Sequence, residues 1–292
     1  MLREFININH ELVNSHMMLT KLIVAALERR LDMILPLDWD KPSDGNEELC
    51  KKFSRNTYRE GDFEMPYRLF KPKTNEPVPF VVYLHGADAV GDDNILPLSM
   101  HDIGTCLAKD SFQLSHPCYI LAPQYDETQY WNTPAISRAI IKLINQHIEE
   151  GMADKSRIYI YGYSAGGVGT LFMLSNHPDI FAAAIAICGV TGRKSLKALS
   201  KKPLWLCHAI DDTIVRATYR QPGRDTLGNY GSRDIYEALM SEAKELKYTE
   251  YPKGWMKMQY GVNPHCSWVA VSDYPQIWEW LFSKRLSDQT TS

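Results

Sequence analysis

The sequence predicts an α/β fold: a mostly parallel central sheet with helices on both faces. Two observations carry this. Residues 80–84, 118–122 and 181–188 are short continuous apolar runs, as expected of strands buried on both faces. One run, residues 157–161, leads straight into Gly162-Tyr163-Ser164-Ala165-Gly166 and then a helical stretch, giving a strand, a sharp turn and a helix. Strands that alternate with helices imply right-handed crossovers and parallel pairing.

Residues 1–50 read differently from the rest. Leu12, Leu19, Leu22, Ile23, Ala26, Leu27, Leu31 and Ile34 form a helical apolar stripe, and Pro36, Pro42, Ser43, Asp44 and Gly45 mark a linker. An N-terminal helical extension over 1–50 is therefore expected, followed by a catalytic domain over 51–292. The extension is a candidate contact for a homo-oligomer. Residues 54–59 and 64–70 predict a hairpin around Gly61-Asp62. The apolar strands at 80–84 and 118–122 come next. A helix is expected over 134–150, with Thr133 as cap, Pro134 in the first turn and Gly151 after it. The strand at 157–161 and a helix over 165–175 flank the turn. Strands at 181–188 and 204–208, a helix over 234–246, a strand at 247–251 and a helix over 274–282 complete the chain.

Composition narrows the function. The 292 residues carry a formal net charge of −3, with 45% hydrophobic content. No long basic run argues for nucleic acid. No uncharged apolar stretch is long enough to span a membrane. Residues 11–27, the best candidate for a signal peptide, are interrupted by Glu11 and Lys21 and lack a small-residue cleavage site, so they read as an amphipathic helix. The six cysteines are scattered, without a Cys-x-x-Cys pair. This favours a reducing, cytoplasmic location over a disulfide framework. Nothing resembles a His-Glu-x-x-His metal site or a phosphate loop, so no metal or cofactor is expected.

The chemistry rests on Ser164. A serine hydroxyl needs a base within hydrogen-bond reach, and the base needs an acid to fix its tautomer. On a parallel sheet these groups follow the serine, beyond the carboxyl ends of strands. His265, in Asn263-Pro264-His265-Cys266, lies after the last strand and is the expected base; His208 is its rival. Asp211 and Asp212 both follow the strand ending at His208, and position alone leaves the choice open. The backbone N–H of Ala165 is the expected first oxyanion donor. The second is Ala87 N–H, in the loop His85-Gly86-Ala87-Asp88 after an apolar strand. His85 reads as a structural histidine that bonds the loop backbone. Trp131, Tyr163 and Trp268 are candidate pocket walls, with core packing as the competing reading.

Together these residues resemble the α/β-hydrolase fold. More narrowly they are similar to a bacterial esterase group often labelled "predicted peptidase", related to polyhydroxybutyrate depolymerases and feruloyl esterases. The segments that carry the likeness are the loop from His85 to Asn94, Ala122-Pro123-Gln124 with Trp131, the nucleophile turn, the run from Phe181 to Gly189, the run from His208 to Val215, and Tyr251 through Trp268. The resemblance implies Asp212 as the acid. It also implies a serine carboxylic-ester hydrolase acting on a small or aromatic ester, of feruloyl or acetyl type. The alternatives are a peptidase of the same fold and a non-catalytic binding scaffold. Ala87-Asp88-Ala89 departs from the group's usual Ala-Gly-Glu. The stretch Arg216 to Gly231 is a candidate pocket rim.

Overall fold

The computed structural model describes residues 46–219 and 228–286. Most of the expected N-terminal extension, its proposed oligomer contact and the middle of the candidate rim lie outside these residues. Helix α1 (Glu47–Lys51) is capped by Asn46, whose side chain accepts from Leu49 N–H. It buries Leu49, and the Cys50 carbonyl accepts from Arg68 at 2.7 Å. The boundary expected at residue 50 therefore falls within an element that packs on the sheet.

Strands β1 (Phe53–Glu60) and β2 (Phe63–Phe70) pair antiparallel around Gly61-Asp62. Gly61 has φ 58°, which suits the twist of a two-residue hairpin turn. Next come β3 (Val78–Leu84), the short helices α2 (Leu96–Ser99) and α3 (Asp110–Ser115), and β4 (Tyr119–Pro123). The centre is α4 (Pro134–Glu149), β5 (Ala153–Tyr163), α5 (Ala165–Asn176) and β6 (Ala183–Ile187). Then follow β7 (Val190–Gly192), α6 (Leu196–Leu199), β8 (Leu204–Ala209), β9 (Asn229–Gly231), α7 (Ser232–Leu239), β10 (Leu246–Tyr251), α8 (Trp255–Tyr260), α9 (Trp268–Ser272) and α10 (Pro275–Phe282).

The main sheet has eight strands in the order β1-β2-β4-β3-β5-β6-β8-β10. The β1–β2 and β2–β4 pairs are antiparallel and every later pair is parallel. Strand periodicity divides β5 between two layers. Ile158 and Ile160 join the core with Ile140, Leu143 and Leu171 of α4 and α5. Tyr159 and Tyr161 point the other way and meet Phe282 and Trp278 of α10 at 5.2 and 5.1 Å between ring centroids. Burying each such side chain stabilises by about 1.5–3 kcal/mol.

Two elements differ from expectation. The helix predicted over 234–246 ends at Leu239, although Glu242, Ala243, Lys244 and Glu245 are good helix formers. Register overrides propensity: Leu246 must pair with Leu204, whose N–H already donates to Glu245 O. The β7–β9 ribbon is too short to leave a pattern in the sequence.

Candidate active site

The site lies beyond the carboxyl ends of β3, β5, β6 and β8. Leu84 pairs with Gly162, and Tyr163 pairs with Ile187, so three strands end side by side. Ser164 occupies the tip of the turn between β5 and α5, with φ 53° and ψ −118°. This conformation is strained for a residue with a Cβ and costs of order 1–3 kcal/mol. The surrounding backbone enforces it. Ser164 N–H donates to Ile187 O at 3.0 Å, and Val168 N–H donates to Ser164 O at 3.0 Å. A Cβ at Gly166 would lie 1.9 Å from Leu84 O, so only glycine lets α5 start this close to β3.

His265 is delivered by a tight turn. Asn263 Oδ1 accepts from His265 N–H at 2.8 Å, ahead of α9. Its Nε2 lies 3.0 Å from Ser164 Oγ, and its Nδ1 lies 2.7 Å from Asp212 Oδ2. Because the carboxylate only accepts, Nδ1 carries the proton and Nε2 is left to accept the serine hydrogen. The structure thus brings Ser164, His265 and Asp212 into one hydrogen-bonded chain.

Asp212 is buried and fully engaged. Its Oδ1 accepts from the N–H groups of Ile214 and Val215 at 2.8 and 3.0 Å. Burial would raise its pKa. The His265 charge and the hydrogen bonds from His208 and His265 outweigh that and hold it well below the usual carboxylate range. Asp211 points elsewhere, with Oδ2 accepting from Gly254 N–H at 2.8 Å at the start of α8.

His208, the rival base, does not reach the serine. Its Nε2 lies 2.8 Å from Val215 O and 3.2 Å from Asp212 Oδ2, and its Nδ1 lies 2.8 Å from Ser232 Oγ. A carbonyl only accepts, so Nε2–H is shared between Val215 and the acid, and the Ser232 hydroxyl donates to Nδ1. His208 therefore supports the acid from behind. The sequence signal for this was its place at a strand end, four residues before Asp212. Replacing His208 with Asn should lower kcat about tenfold or more, since a hydrogen bond to a charged group is worth roughly 1.5–3 kcal/mol. Steady-state kinetics checks this, at a temperature where both proteins are folded.

The loop expected to hold the oxyanion continues from β3. Ala87 and Ala165 each open a helical turn, where the first N–H groups have no intrahelical acceptor. His85 Nδ1 donates to Gly86 O at 2.6 Å. Burial pushes its imidazole down to about 4, against smaller opposing effects from that hydrogen bond and from Asp88 and Asp93. The native state keeps His85 neutral, whereas the unfolded chain takes up a proton near pH 6.5. Its contribution to stability is complete above about pH 6.5 and is lost as pH falls towards 4, by about 3 kcal/mol. Denaturant unfolding of wild type and His85→Asn at pH 7 and pH 4.5 should show a smaller acid loss in the variant, whatever its absolute stability.

The expected pocket walls need correction. Trp131, Tyr163 and Trp268 are only 3%, 1% and 1% exposed, leaving almost no surface for a substrate. They support the site from beneath. Trp131 Nε1 donates to His85 O at 3.0 Å, and the Tyr163 and Trp268 rings pack 4.4 Å apart.

Cys188, Asp212 and His265 offer ligand atoms within 4.8 Å of one another, the one such group found among the described residues. Burial pushes the Cys188 thiol far up, which opposes the thiolate a metal would need. All six cysteines are free, and no helix among the described residues is long and apolar enough to cross a membrane.

Sheet order, strained serine turn and the order serine, aspartate, histidine define an α/β-hydrolase fold. Comparison with known proteins agrees. The model of the prolyl oligopeptidase family matches residues 135–216, which include Ser164 and Asp212. A crystal structure of a thermostable esterase is 33% identical, with a TM-score of 0.73, covering 81% of this chain and 64% of that one. Feruloyl esterase B of Neurospora crassa is 36% identical over 156 residues, 52% of this chain and 48% of the relative. Acetylxylan esterase A of Emericella nidulans is 39% identical over 54 residues, 18% of each chain. The chain is thus similar to carboxylic ester hydrolases that use this fold, and it spans about half the length of the feruloyl esterase and under a fifth of the acetylxylan esterase.

Proposed function

We propose that this chain is a serine carboxylic-ester hydrolase with Ser164 as nucleophile, His265 as general base and Asp212 as orienting acid. The observation that carries the reading is the continuous hydrogen-bonded chain from Ser164 Oγ through His265 to Asp212 Oδ2. Ser164 Oγ attacks the ester carbonyl carbon while its proton passes to His265 Nε2. The carbonyl oxygen becomes an oxyanion, held by the N–H groups of Ala165 and Ala87. Collapse breaks the bond to the alcohol oxygen, and His265 returns its proton to that leaving group. Water then attacks the acyl-serine with His265 again as base, releasing the acid and restoring Ser164. Asp212 remains ionised and stabilises the imidazolium at each stage.

The names of the relatives point to feruloyl or acetyl esters as the acyl class. The family match supports a second reading, a peptidase of the same fold. One substrate panel separates them: methyl ferulate, p-nitrophenyl acetate and an amino-acid p-nitroanilide. The ester reading predicts turnover of the esters, with kcat/KM for the anilide at least 100-fold lower. Preferred cleavage of the anilide would replace it with the peptidase reading.

A further inference from the structure

Asp88 lies one residue beyond the proposed oxyanion donor Ala87. A carboxylate there is an electrostatic liability, because the transition state develops negative charge close by. Its surroundings answer that liability. Asp88 Oδ1 accepts from the Tyr163 hydroxyl at 2.7 Å, and Asp88 Oδ2 lies 2.6 Å from His101 Nε2. The Asp88 and His101 side chains are only 9% and 16% exposed. Both carboxylate oxygens are therefore occupied by donors on the side of the loop built from β5 and the segment before α3. Burial would raise the Asp88 carboxyl; the hydrogen bonds from His101 and Tyr163 and the His101 charge reverse that, so it stays ionised.

The same residues connect three segments of the site. Tyr163 immediately precedes Ser164. Its ring lies against Gly86, where a Cβ would come within 2.4 Å of Tyr163 Cε2. His101 packs on Tyr163 at 5.3 Å and on Trp268 at 4.9 Å, and His265 packs on the same Trp268 at 5.4 Å. Oxyanion loop, nucleophile strand and histidine turn thus meet around the hydrogen-bonded Asp88–His101 pair.

We propose that Asp88, His101 and Tyr163 form a positioning unit that fixes the Ala87 N–H in the oxyanion hole and keeps the Asp88 charge turned away from it. This rests on the esterase reading above. The unit touches no reacting atom; it acts through the loop backbone.

The test compares wild type with Asp88→Ala, Asp88→Asn, His101→Ala and the double variant His101→Ala/Asp88→Asn. Readouts are kcat and KM on p-nitrophenyl acetate and Ki for an arylboronic acid, whose tetrahedral serine adduct uses the oxyanion hole. Melting curves fix a temperature at which all are folded. Asp88→Ala and His101→Ala should each lower kcat about 10- to 100-fold with KM within about threefold, and raise the boronate Ki in parallel. Asp88→Asn keeps an acceptor for Tyr163 without the charge and should stay within about fivefold of wild type. The double variant should recover most of the activity that His101→Ala loses, because the unpaired carboxylate is gone. Unchanged kcat in Asp88→Ala and His101→Ala, a change confined to KM, or no recovery in the double variant would overturn the proposal. In those cases wild type still shows Ser164-dependent turnover, and the esterase reading stands. Absence of both turnover and Ser164-dependent boronate binding in wild type would overturn the two together.

Discussion

Replacing Ser164 with alanine will lower kcat on a p-nitrophenyl ester by roughly 10³-fold or more while leaving the melting temperature close to wild type or above it. The size follows from the site. Removing Oγ removes the nucleophilic oxygen that lies 3.0 Å from His265 Nε2, and the remaining donors can only polarise the substrate for water. The stability expectation follows from the backbone. Ser164 sits at φ 53° in either variant, so the strain stays, and one buried hydroxyl is lost. Kinetics at saturating substrate together with a melting curve checks both halves. Residual turnover within tenfold of wild type would remove Ser164 from the role of nucleophile.

Asp212→Asn will cost about 10³- to 10⁴-fold in kcat, whereas Asp211→Asn will stay within a few-fold. An amide at 212 can donate to His265 Nδ1 where the carboxylate accepted, and this favours the tautomer with the proton on Nε2. That tautomer cannot take the serine hydrogen. The amide also removes the negative charge that stabilises the imidazolium. Asp211 makes no such contact; its carboxylate accepts from Gly254 N–H, and an asparagine oxygen can do the same. Parallel kcat measurements on the two variants decide the matter, and the reverse ranking would move the acid to Asp211.

The nucleophile turn was legible because its constraints are local. An apolar strand, two flanking glycines and a helix-forming run lie within a dozen residues, and periodicity shows each. The β1–β2 hairpin was legible for the same reason, through Gly61-Asp62. Choosing between Asp211 and Asp212 was beyond spacing: adjacent identical side chains differ only in where the loop aims them, and the loop is fixed by the Ile214 and Val215 N–H groups. The roles of Trp131, Tyr163 and Trp268 stayed open between pocket wall and core packing, because an aromatic residue beside a motif looks the same whether it walls a pocket or props its floor. Only the fold places Trp131 Nε1 on His85 O, across 46 positions of sequence. The Asp88–Tyr163 bond spans 75 positions and had no local signature at all.

The most direct measurement of the central claim is to treat wild type with a fluorophosphonate and locate the adduct by peptide mass spectrometry, following ester turnover in the same samples. The triad account predicts one adduct, on Ser164, forming in step with loss of turnover. Modification at another residue, or ester turnover that survives complete labelling of Ser164, would contradict it.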